Sequence, residues 1–288
     1  MKICLSCHHH FEATDWTCPK CHFCPEENHN TLKLMIGDNT CEGFEAEFFE
    51  QLAMLEDENF WFIARNQLII WALENYLPNT KNFLEIGCGT GFVLSGISKA
   101  KPSLKTYASE FFKEGLDFAK ARMPKTTLFQ MDARNIPFSE EFDTIGAFDV
   151  IEHIEEDTQV LKEIHKALRP GGGLMLTVPL HQWMWSAQDD YAHHVRRYAV
   201  KELCNKVQDA GFEILRKTGF VSLLLPLMYT SRYFQSKDPK TLDASKELKL
   251  SKPINTLFKG IMALERAYIQ LGGNFPVGGS MLLIARKI

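Results

Sequence analysis

Apolar and polar positions divide most of the chain into a helical stretch followed by a long alternation of strand-like and helix-like segments. Between residues 43 and 76, apolar side chains recur every three or four positions, which is typical of helices that bury one face. This stretch is rich in aromatic residues, so its helices either pack over the following domain, which we favour, or form a lid. From residue 82 onwards, short apolar runs alternate with helical segments, which predicts a parallel, doubly wound α/β sheet.

The apolar runs predict six strands, at residues 83–86, 106–110, 127–132, 142–148, 174–179 and 213–218. The first strand runs into a glycine loop, and a helix follows from about residue 92 to 99. Gly87, Gly89 and Gly91 allow the backbone to turn sharply and to approach a ligand at the carboxyl edge of the sheet. The run Arg-Pro-Gly-Gly-Gly at 169–173 predicts the end of the helix that precedes the fifth strand.

Acidic residues end the second, third and fourth predicted strands. Glu110 stands 23 residues after Gly87, where a carboxylate can accept hydrogen bonds from ribose hydroxyls. Asp132 and Asp149 end the next two strands. Nicotinamide and flavin enzymes also use glycine loops, but here Phe92 stands where the dinucleotide fingerprint has its last glycine.

Six of the eight cysteines lie in the first 41 residues. Cys4 with Cys7, and Cys18 with Cys21, form two Cys-x-x-Cys pairs separated by ten residues. Because no export signal is present, this pattern predicts a closed, structural Zn²⁺ site of four thiolates rather than disulfides. Metal binding would stabilise a segment that has few apolar residues. A redox pair remains an alternative, as does replacement of one ligand by His8, His10, His22, Cys24 or Cys41.

A set of motifs in a particular order is more specific than the glycine loop alone. It comprises Leu-Glu-Ile-Gly-Cys-Gly-Thr-Gly-Phe at 84–92, Glu110, Met131-Asp132-Ala133, Phe-Asp-Val-Ile-Glu-His at 148–153 and Leu-Arg-Pro-Gly-Gly at 168–172. In this order the set resembles the class I S-adenosylmethionine-dependent methyltransferases, particularly those that act on small molecules, lipids and quinone precursors. The resemblance covers about residues 82–219.

This resemblance implies a doubly wound, seven-stranded Rossmann-like methyltransferase sheet whose last strand is antiparallel, and residues 280–286 fit that strand. It also implies S-adenosylmethionine as the methyl donor. We therefore divide the chain into five parts. These are a zinc-ribbon-like segment (1–42), a helical lead-in (43–80), an S-adenosylmethionine-binding core (81–219), a helical insertion that covers the substrate (220–279) and the last strand (280–288).

The resemblance also implies which residues bind the cofactor. The loop glycines would bend under its methionine part, with Glu85 bracing the loop and Asp149 beside the methionine end. Glu110 would hold the ribose. Asp132 would accept a hydrogen bond from the adenine amino group, with Met131 against the ring. The predicted cofactor-binding residues are Glu85, Gly87, Gly89, Gly91, Glu110, Met131, Asp132, Ala133 and Asp149. Alternatively, Glu85 and Asp149 are only strand-end acids on turns.

The loop after the fifth strand carries most of the residues predicted to act on the acceptor. Methyl transfer requires alignment of the nucleophile and exclusion of water, and an oxygen or nitrogen nucleophile also needs a proton acceptor. The candidate proton acceptors are His153, His193 and His194, although a structural role is the commoner one for such histidines. The predicted substrate contacts are Arg196, Arg197 and Trp185. The arginines could bind a carboxylate or phosphate, or instead pair with Asp189 and Asp190 at the surface.

Residues 220–229 are strongly apolar, too short to span a bilayer and interrupted by Pro226. Residues 237–252 are polar and loop-like. An apolar helical stripe then follows, formed by Ile254, Leu257, Phe258, Ile261 and Met262. This insertion could cover the site, contact a membrane surface, form a dimer or pack as ordinary core.

Composition and charge narrow the functional classes. Hydrophobic residues make up 45% and charged residues 24% of the 288 residues, which is typical of a globular protein. A formal net charge of −4 excludes a global basic field that would attract nucleic acid or anionic lipid. The start of the chain lacks the apolar core of a signal peptide, and no apolar run reaches about 18 residues. We expect a cytoplasmic protein, free or peripheral to the inner face of the membrane.

The sequence thus predicts S-adenosylmethionine-dependent methyl transfer to a small or lipid-linked acceptor. One alternative is an RNA base methyltransferase whose zinc ribbon presents RNA. The acidic balance opposes it, as does Asp149-Val150-Ile151-Glu152 at the place where amino-methylating nucleic-acid enzymes often carry Asn-Pro-Pro-Tyr. The other alternative is a non-catalytic module that binds the cofactor or a protein partner.

Overall fold

The computed structural model describes residues 1–28, 31–36, 46–234 and 250–288. A small N-terminal hairpin pairs β1 (Lys2–Ile3) with β2 (His10–Phe11). The other strands of the described chain form one mixed sheet: β3 (Glu27–Asn28), β4 (Thr31–Lys33), β5 (Asn82–Ile86), β6 (Lys105–Glu110), β7 (Thr127–Gln130), β8 (Phe142–Phe148), β9 (Leu168–Pro179), β10 (Phe212–Phe220) and β11 (Ser280–Lys287). Across the sheet they follow the order β10-β11-β9-β8-β5-β6-β7-β4-β3.

The seven strands from β10 to β7 confirm the predicted α/β fold. β5 is parallel to β6 and β8, and the parallel arrangement continues to β7 on one side and β9 on the other. β11 lies between β9 and β10 and is antiparallel to both, as expected for the last strand. Because the carboxyl ends of parallel strands share one edge, the loops that follow β5, β6, β7 and β8 meet there.

The N-terminal segment adds two strands that the seven-strand expectation does not include. β4 pairs in parallel with β7, and β3 pairs with β4. The edge of β7 would otherwise expose unpaired backbone groups, which β4 covers. The segment also shares apolar packing with the sheet domain, because the Trp16 ring lies 5.3 Å from the Phe138 ring and 6.5 Å from the Phe129 ring.

The helices cover both faces of the sheet. They are α1 (Ala46–Leu55), α2 (Phe60–Tyr76), α3 (Phe92–Ala100), α4 (Lys113–Arg122), α5 (Asp157–Ala167), α6 (Ala187–Tyr191), α7 (Val200–Asp209), α8 (Leu225–Phe234) and α9 (Lys252–Gln270). Successive strand residues point to opposite faces, so Phe83 joins a core with α2, α3 and α4, whereas Leu84 joins a core with α5 and α7. This two-sided burial is the doubly wound arrangement.

β9 starts six residues earlier than the predicted fifth strand. α5 ends at Ala167, as the Pro-Gly run predicts, but β9 begins directly afterwards at Leu168. The register against β8 shifts between the Phe142–Leu168 pair and the Thr144–Gly173 pair, so the glycine run forms an irregular bulge within the strand. The glycine-rich run therefore follows the end of the helix and interrupts the pairing with β8 without ending the strand.

The helical lead-in packs on the domain that follows, within the residues the structure describes. Leu68, Ile69 and Leu73 of α2 are buried in the same core as α3. A Cβ at Gly96 of α3 would lie only 2.2 Å from the side-chain nitrogen of Asn66, so the two helices approach closely at this glycine. Residues 43–45 of the predicted stretch lie outside the described residues.

The insertion after β10 contributes α8 and α9, while residues 237–249 of its predicted polar part lie outside the described range. Only part of the predicted apolar stripe of α9 is buried. Met262 is 4% exposed, whereas Ile254 and Leu257 are 44% and 61% exposed. Glu265 of α9 is buried and accepts hydrogen bonds from three successive backbone N–H groups, those of residues 221, 222 and 223. None of the helices described is long and apolar enough to span a membrane.

Candidate active site

The glycine loop after β5 has the backbone geometry that its sequence predicts. Gly87, Gly89 and Gly91 all have positive φ, at 64°, 51° and 78°. A Cβ at Gly87 would lie 2.5 Å from Val150, and one at Gly91 would lie 2.6 Å from Met123. A Cβ at Gly89 would meet only the Phe49 ring, at 3.9 Å. Close packing therefore requires glycine at positions 87 and 91, whereas at Gly89 a Cβ would make only an ordinary van der Waals contact with the Phe49 ring.

Glu110, at the end of β6, lies directly beside this loop. One carboxylate oxygen accepts a hydrogen bond from the Gly89 backbone N–H at 2.9 Å. The other accepts from the N–H groups of Phe111 at 2.7 Å and Phe112 at 3.2 Å. Burial raises the pKa of Glu110, and these three donors oppose that shift. The structure thus places an acid at the second strand end within bonding distance of the loop.

Glu85, the second-last residue of β5, is buried beneath the same loop. The residue as a whole is 2% exposed, and burial raises the pKa of its carboxyl group to about 8. The nearby charge of Arg65 and a hydrogen bond donated by the Leu94 backbone N–H oppose this shift. One carboxyl oxygen of Glu85 has no hydrogen-bond partner among the described residues. This position is consistent with a brace for the loop rather than with direct contact to solvent.

Asp149, at the end of β8, is held by two side chains. Arg65 of α2 forms an ion pair with the Asp149 carboxylate, and the Thr177 hydroxyl donates to it at 2.9 Å. Asp149 also has a positive φ of 57°, which is uncommon for a residue other than glycine. The Arg65 guanidinium lies 4.3 Å from the centre of the Trp61 ring, a cation–π distance.

Arg65 is a site residue that the sequence interpretation missed. Its signal was a single cation directly after the apolar run Phe60-Trp61-Phe62-Ile63-Ala64 that opens α2. Glu56, the first of three consecutive acids, was also missed. It is 5% exposed, accepts from the Thr90 hydroxyl of the glycine loop at 2.7 Å, and pairs with Arg122 of α4 at 2.8 Å. The lead-in thus supplies two charged contacts to the candidate site.

The third strand end places Met131, Asp132 and Ala133 beside Glu110. Met131 and Ala133 are buried, and the Met131 N–H donates to the Glu110 carbonyl at 3.0 Å. Both oxygens of the Asp132 carboxylate accept hydrogen bonds from the Arg134 guanidinium. The adenine contact predicted for Asp132 therefore stays a prediction, in which an amino group would share the carboxylate with Arg134.

On the other side of Asp149, the structure brings His153 and His194 together. Their ring centres are 4.7 Å apart in an edge-to-face arrangement. Burial lowers the pKa of His153 to about 3, and the neighbouring His194 lowers it as well. His194 Nδ1 lies 2.9 Å from the Asp189 carboxylate. Glu152 is fully buried next to them, and burial together with Asp149 raises its pKa well above the usual range.

Two other residues predicted to act on the methyl acceptor, His193 and Trp185, lie in separate environments. His193 is exposed and has a φ of 54°. Trp185 donates its indole N–H to the Asp190 carboxylate at 3.0 Å. Their predicted roles as proton acceptor and substrate contact stay predictions.

The adjacent arginines point to different partners. Arg197 is 5% exposed and donates to the Leu180 carbonyl, the Gly279 carbonyl and the Asp189 carboxylate, the last at 2.6 Å. Arg196 pairs instead with Asp157 at 2.6 Å and with an exposed glutamate. The pairing with Asp189 is thus a buried contact rather than a surface one. Anion binding by either arginine remains a prediction.

The N-terminal thiols converge. Sγ of Cys4 lies 3.5 Å from that of Cys21, and Sγ of Cys7 lies 3.7 Å from that of Cys18. All four sulfurs lie within 4.8 Å of one another. In a tetrahedral site with Zn–S bonds of about 2.3 Å, neighbouring sulfurs are about 3.8 Å apart, so this arrangement fits one Zn²⁺.

The two cysteine pairs also share one backbone geometry. The N–H groups of His8 and His22, each one residue after its pair, donate to the carbonyls of Cys4 and Cys18. Both histidines have positive φ, at 56° and 60°. The residues named as alternative ligands do not join the group within the part of the chain that is described, and Cys41 lies outside it.

An apolar groove of about 430 Å³ lies beyond the carboxyl ends of β9 and β10. Trp183, Leu225, Pro226 and Tyr229 line it. Pro179 of β9 and Phe220 of β10 both pair with Ser280, so the loops that supply these residues leave the sheet at the same edge. The exposed Trp183 ring lies 5.6 Å from the Tyr229 ring.

Comparisons with known proteins agree with this architecture. A family model described as a methyltransferase domain matches residues 61–217, which is more than half of the chain. A protein of Mycolicibacterium smegmatis named as a probable S-adenosylmethionine-dependent methyltransferase is 26% identical over 163 residues, covering 56% of this chain and 62% of that protein. Demethylmenaquinone methyltransferase of Chlorobaculum tepidum is 24% identical over 135 residues, covering 46% and 54%. The chain thus spans less than two thirds of these relatives.

Solved structures show the same fold. Phosphoethanolamine N-methyltransferase 2 of Haemonchus contortus, in complex with S-adenosylmethionine, superposes with a TM-score of 0.56 at 19% identity, covering 84% of this chain and 57% of that one. A methyltransferase of Thermotoga maritima has a TM-score of 0.52 at 17% identity and covers 84% and 96%. From the matched domain and the strand order, this chain belongs to the methyltransferase-domain family, within the class I S-adenosylmethionine-dependent methyltransferases.

Proposed function

We propose that this protein transfers the methyl group of S-adenosylmethionine to a small or lipid-linked acceptor. The observation that carries the proposal is the contact between the Gly89 N–H and the Glu110 carboxylate at the edge of the sheet. In doubly wound sheets, ligands bind at this edge, and an acid at the second strand end holds the ribose. Apart from Gly89 and its chain neighbours, no atom of the described residues lies closer than 3.9 Å to the position of a Cβ at Gly89, so a cofactor could approach the loop backbone there.

The cofactor would occupy the surface between the glycine loop and the ends of β6, β7 and β8. Glu110 binds the ribose, and Met131 and Ala133 contact the adenine. Asp149 and the three glycines surround the methionine end, while Glu85 supports the loop from beneath. In this arrangement Arg65 is a positioning residue for Asp149, because it contacts that carboxylate and is itself buried.

The methyl acceptor would approach from the side of His153 and His194. Both rings lie next to the end of β8 and beside Glu152, three residues after Asp149. The sulfonium leaves without assistance, so the main tasks of the protein are alignment and exclusion of water. The apolar groove at the same edge supports an acceptor that carries a lipid-like part. The relationship to a demethylmenaquinone methyltransferase supports the same class of acceptor.

The four N-terminal thiols bind one structural Zn²⁺. The sulfur distances support this role, and the group is closed, so no ligand position remains for a substrate. Cys4, Trp16 and Phe129 belong to one apolar cluster, so zinc binding would also stabilise the edge of the main sheet.

Two experiments test the proposed function. The first measures binding of S-adenosylhomocysteine by calorimetry in the wild type, Glu110→Ala and Glu114→Ala; Glu114 is exposed on α4 and serves as the control. We expect binding by the wild type and the control but a large loss in Glu110→Ala.

The second experiment follows radiolabelled methyl transfer into an extract of the native host, separated into lipid, aqueous, RNA and protein fractions. Label in the lipid or aqueous fraction supports the proposal, whereas label in RNA favours a nucleic-acid methyltransferase. Failure of the wild type to bind S-adenosylhomocysteine would contradict the proposal.

A further inference from the structure

Three side chains that can each bind a metal ion meet beside the end of β8. They are Glu152, His153 and His194, and the potential ligand atoms of the three lie within 4.8 Å of one another. The first two are neighbours on the turn after β8, whereas His194 arrives from the loop after β9. We propose that this group binds one divalent transition-metal ion, separate from the zinc held by the N-terminal cysteines, and that the ion binds a hydroxyl group of the acceptor.

Glu152 is the strongest observation. Its side chain is fully buried, and neither carboxyl oxygen has a hydrogen-bond partner among the described residues. A buried carboxylate without a donor or counter-charge is costly, so such groups are normally paired or bind a metal. The two nearby guanidinium groups are committed elsewhere: Arg65 pairs with Asp149, and Arg197 binds Asp189 and two backbone carbonyls. A metal ion would give both unpartnered oxygens a partner and would favour the carboxylate form that burial otherwise disfavours.

His194 is held as metal-ligating histidines usually are. Its Nδ1 lies 2.9 Å from the Asp189 carboxylate, which also accepts hydrogen bonds from the Arg197 guanidinium and the Ser186 N–H. A histidine that donates Nδ1–H to a carboxylate keeps the lone pair of Nε2 available. Because Asp189 is 1% exposed and held by these donors, it fixes the orientation of the ring as well as its tautomer.

His153 is positioned from the same loop. Its ring hydrogen-bonds with the backbone of Ala192 and His193, the two residues immediately before His194. The rings of His153 and His194 meet edge to face with centres 4.7 Å apart. One short segment, residues 189–194, therefore positions both imidazoles against Glu152. This convergence joins two loops that are about 40 residues apart in the chain.

Two imidazoles and one carboxylate suit Zn²⁺, Mn²⁺ or Fe²⁺ and leave coordination positions open. An acceptor hydroxyl in such a position loses its proton to water more readily. Its oxygen then attacks the methyl carbon: the O–CH₃ bond forms, the S–CH₃ bond breaks, and its electron pair returns to sulfur. This role rests on the proposed methyl transfer, whereas metal binding itself does not. A metal ion in this role would select an acceptor that carries a hydroxyl group, so the reaction would be O-methylation.

Manganese binding tests the site. Mn²⁺ competes poorly for thiolates, so electron paramagnetic resonance of added Mn²⁺ reports on the histidine–carboxylate group while the cysteines retain zinc. We expect about one bound Mn²⁺ per wild-type chain, and affinity reduced at least about tenfold in Glu152→Gln and in His194→Gln. Glu155→Gln is the control, because Glu155 lies on the same loop and its side chain is 74% exposed. Because this group can also bind zinc, the proteins are first dialysed against a mild chelator, and each of the four should then retain about one zinc, held by the cysteines.

Equal Mn²⁺ affinity in the wild type and both ligand variants would overturn the proposal, as would no Mn²⁺ binding by the folded wild type. Using two variants from different loops guards against the misfolding of one. Calorimetry with S-adenosylhomocysteine separates the two proposals. If the nucleoside binds and Mn²⁺ does not, the metal site is wrong and methyl transfer stands. If Mn²⁺ binds through Glu152 and the nucleoside does not, the metal site stands and the proposed function is wrong.

Discussion

Arg65 and Asp149, which are 84 positions apart in the chain, form an ion pair that joins α2 to the end of β8. The side chain of Arg65 is 9% exposed and that of Asp149 is 19% exposed, so water screens the pair only weakly. The Thr177 hydroxyl completes the environment of the carboxylate. Through this pair, a helix that precedes the core sheet controls the position of an acid at the edge where the cofactor is proposed to bind.

Replacement of Arg65 by methionine should remove one partner of this pair and leave the Asp149 charge uncompensated. Breaking a buried pair in this way costs about 3 kcal/mol of unfolding free energy, and the affinity for S-adenosylhomocysteine should fall with it. Urea unfolding and calorimetry measure the two effects. The control is Arg169→Met, since Arg169 forms an exposed pair with Asp143 that is worth about 0–1 kcal/mol. Equal losses in both variants would contradict a special role for Arg65.

Alanine substitutions at Gly89 and Gly87 should separate ligand binding from folding. Both residues have positive φ, which costs alanine about 1–2 kcal/mol. At Gly87 the added methyl would also collide with Val150 at 2.5 Å, so that variant should be much less stable. At Gly89 the methyl would make only an ordinary contact with the Phe49 ring, at 3.9 Å, so the fold should survive while S-adenosylhomocysteine binds about tenfold more weakly, or 1.4 kcal/mol. Thermal unfolding and calorimetry distinguish these outcomes; unchanged binding by Gly89→Ala would argue that the cofactor lies elsewhere.

Glu85 should make stability depend on pH. Burial raises the pKa of Glu85 to about 8 in the folded protein, against about 4.3 in an unfolded chain. Between these values the folded state holds a proton that the unfolded state has released, so the contribution of Glu85 to stability decreases as pH rises through this interval. Glu85→Gln cannot ionise and should gain stability relative to the wild type from pH 5 to pH 8.

Urea unfolding at several pH values measures this difference. Glu114→Gln, on the exposed face of α4, is the control and should follow the wild-type profile. If Glu85→Gln also follows the wild-type profile, the buried carboxyl is ionised throughout and the assigned direction is wrong.

Loss of one N-terminal thiol should remove zinc and weaken the sheet edge together. Cys18 is 0% exposed and belongs to the same apolar cluster as Trp16 and Phe129. Cys18→Ser should therefore lose bound zinc and unfold at a lower temperature. Cys24→Ser is the matched control, because Cys24 is exposed and lies outside the four-thiol group. Metal analysis that finds less than about half an equivalent of zinc in the wild type would contradict the site itself.

The strand pattern and the glycine loop were predictable because both depend on local chemistry. The apolar run at 142–148 matches β8, and the run at 83–86 differs from β5 by one residue. Burial of alternate side chains leaves a periodic trace in any sequence, whatever the distant contacts are. The early start of β9 was missed because a glycine run normally signals a break, whereas here pairing with β8 occurs on both sides of the run, at Leu168 and again from Gly173.

The charged contacts of the lead-in show what such patterns cannot contain. Glu56 and Thr90 are 34 positions apart, and Arg65 and Asp149 are 84 positions apart. A lone charge in an apolar helix indicates a buried polar contact without identifying its partner. The partner depends on which segments the fold brings together, and one sequence carries no direct record of that choice.

Arg196 and Arg197 give the clearest division between the two levels. The sequence alone established the element types, the order of the methyltransferase motifs and the spacing of the cysteine pairs, because each depends on residues close together in the chain. It treated the two arginines alike. The tertiary structure paired Arg197 with the buried Asp189 and Arg196 with both the buried Asp157 and the exposed Glu155, and placed His194 against Glu152. These outcomes follow from burial and long-range packing, which set the partners of a polar side chain only once distant loops meet.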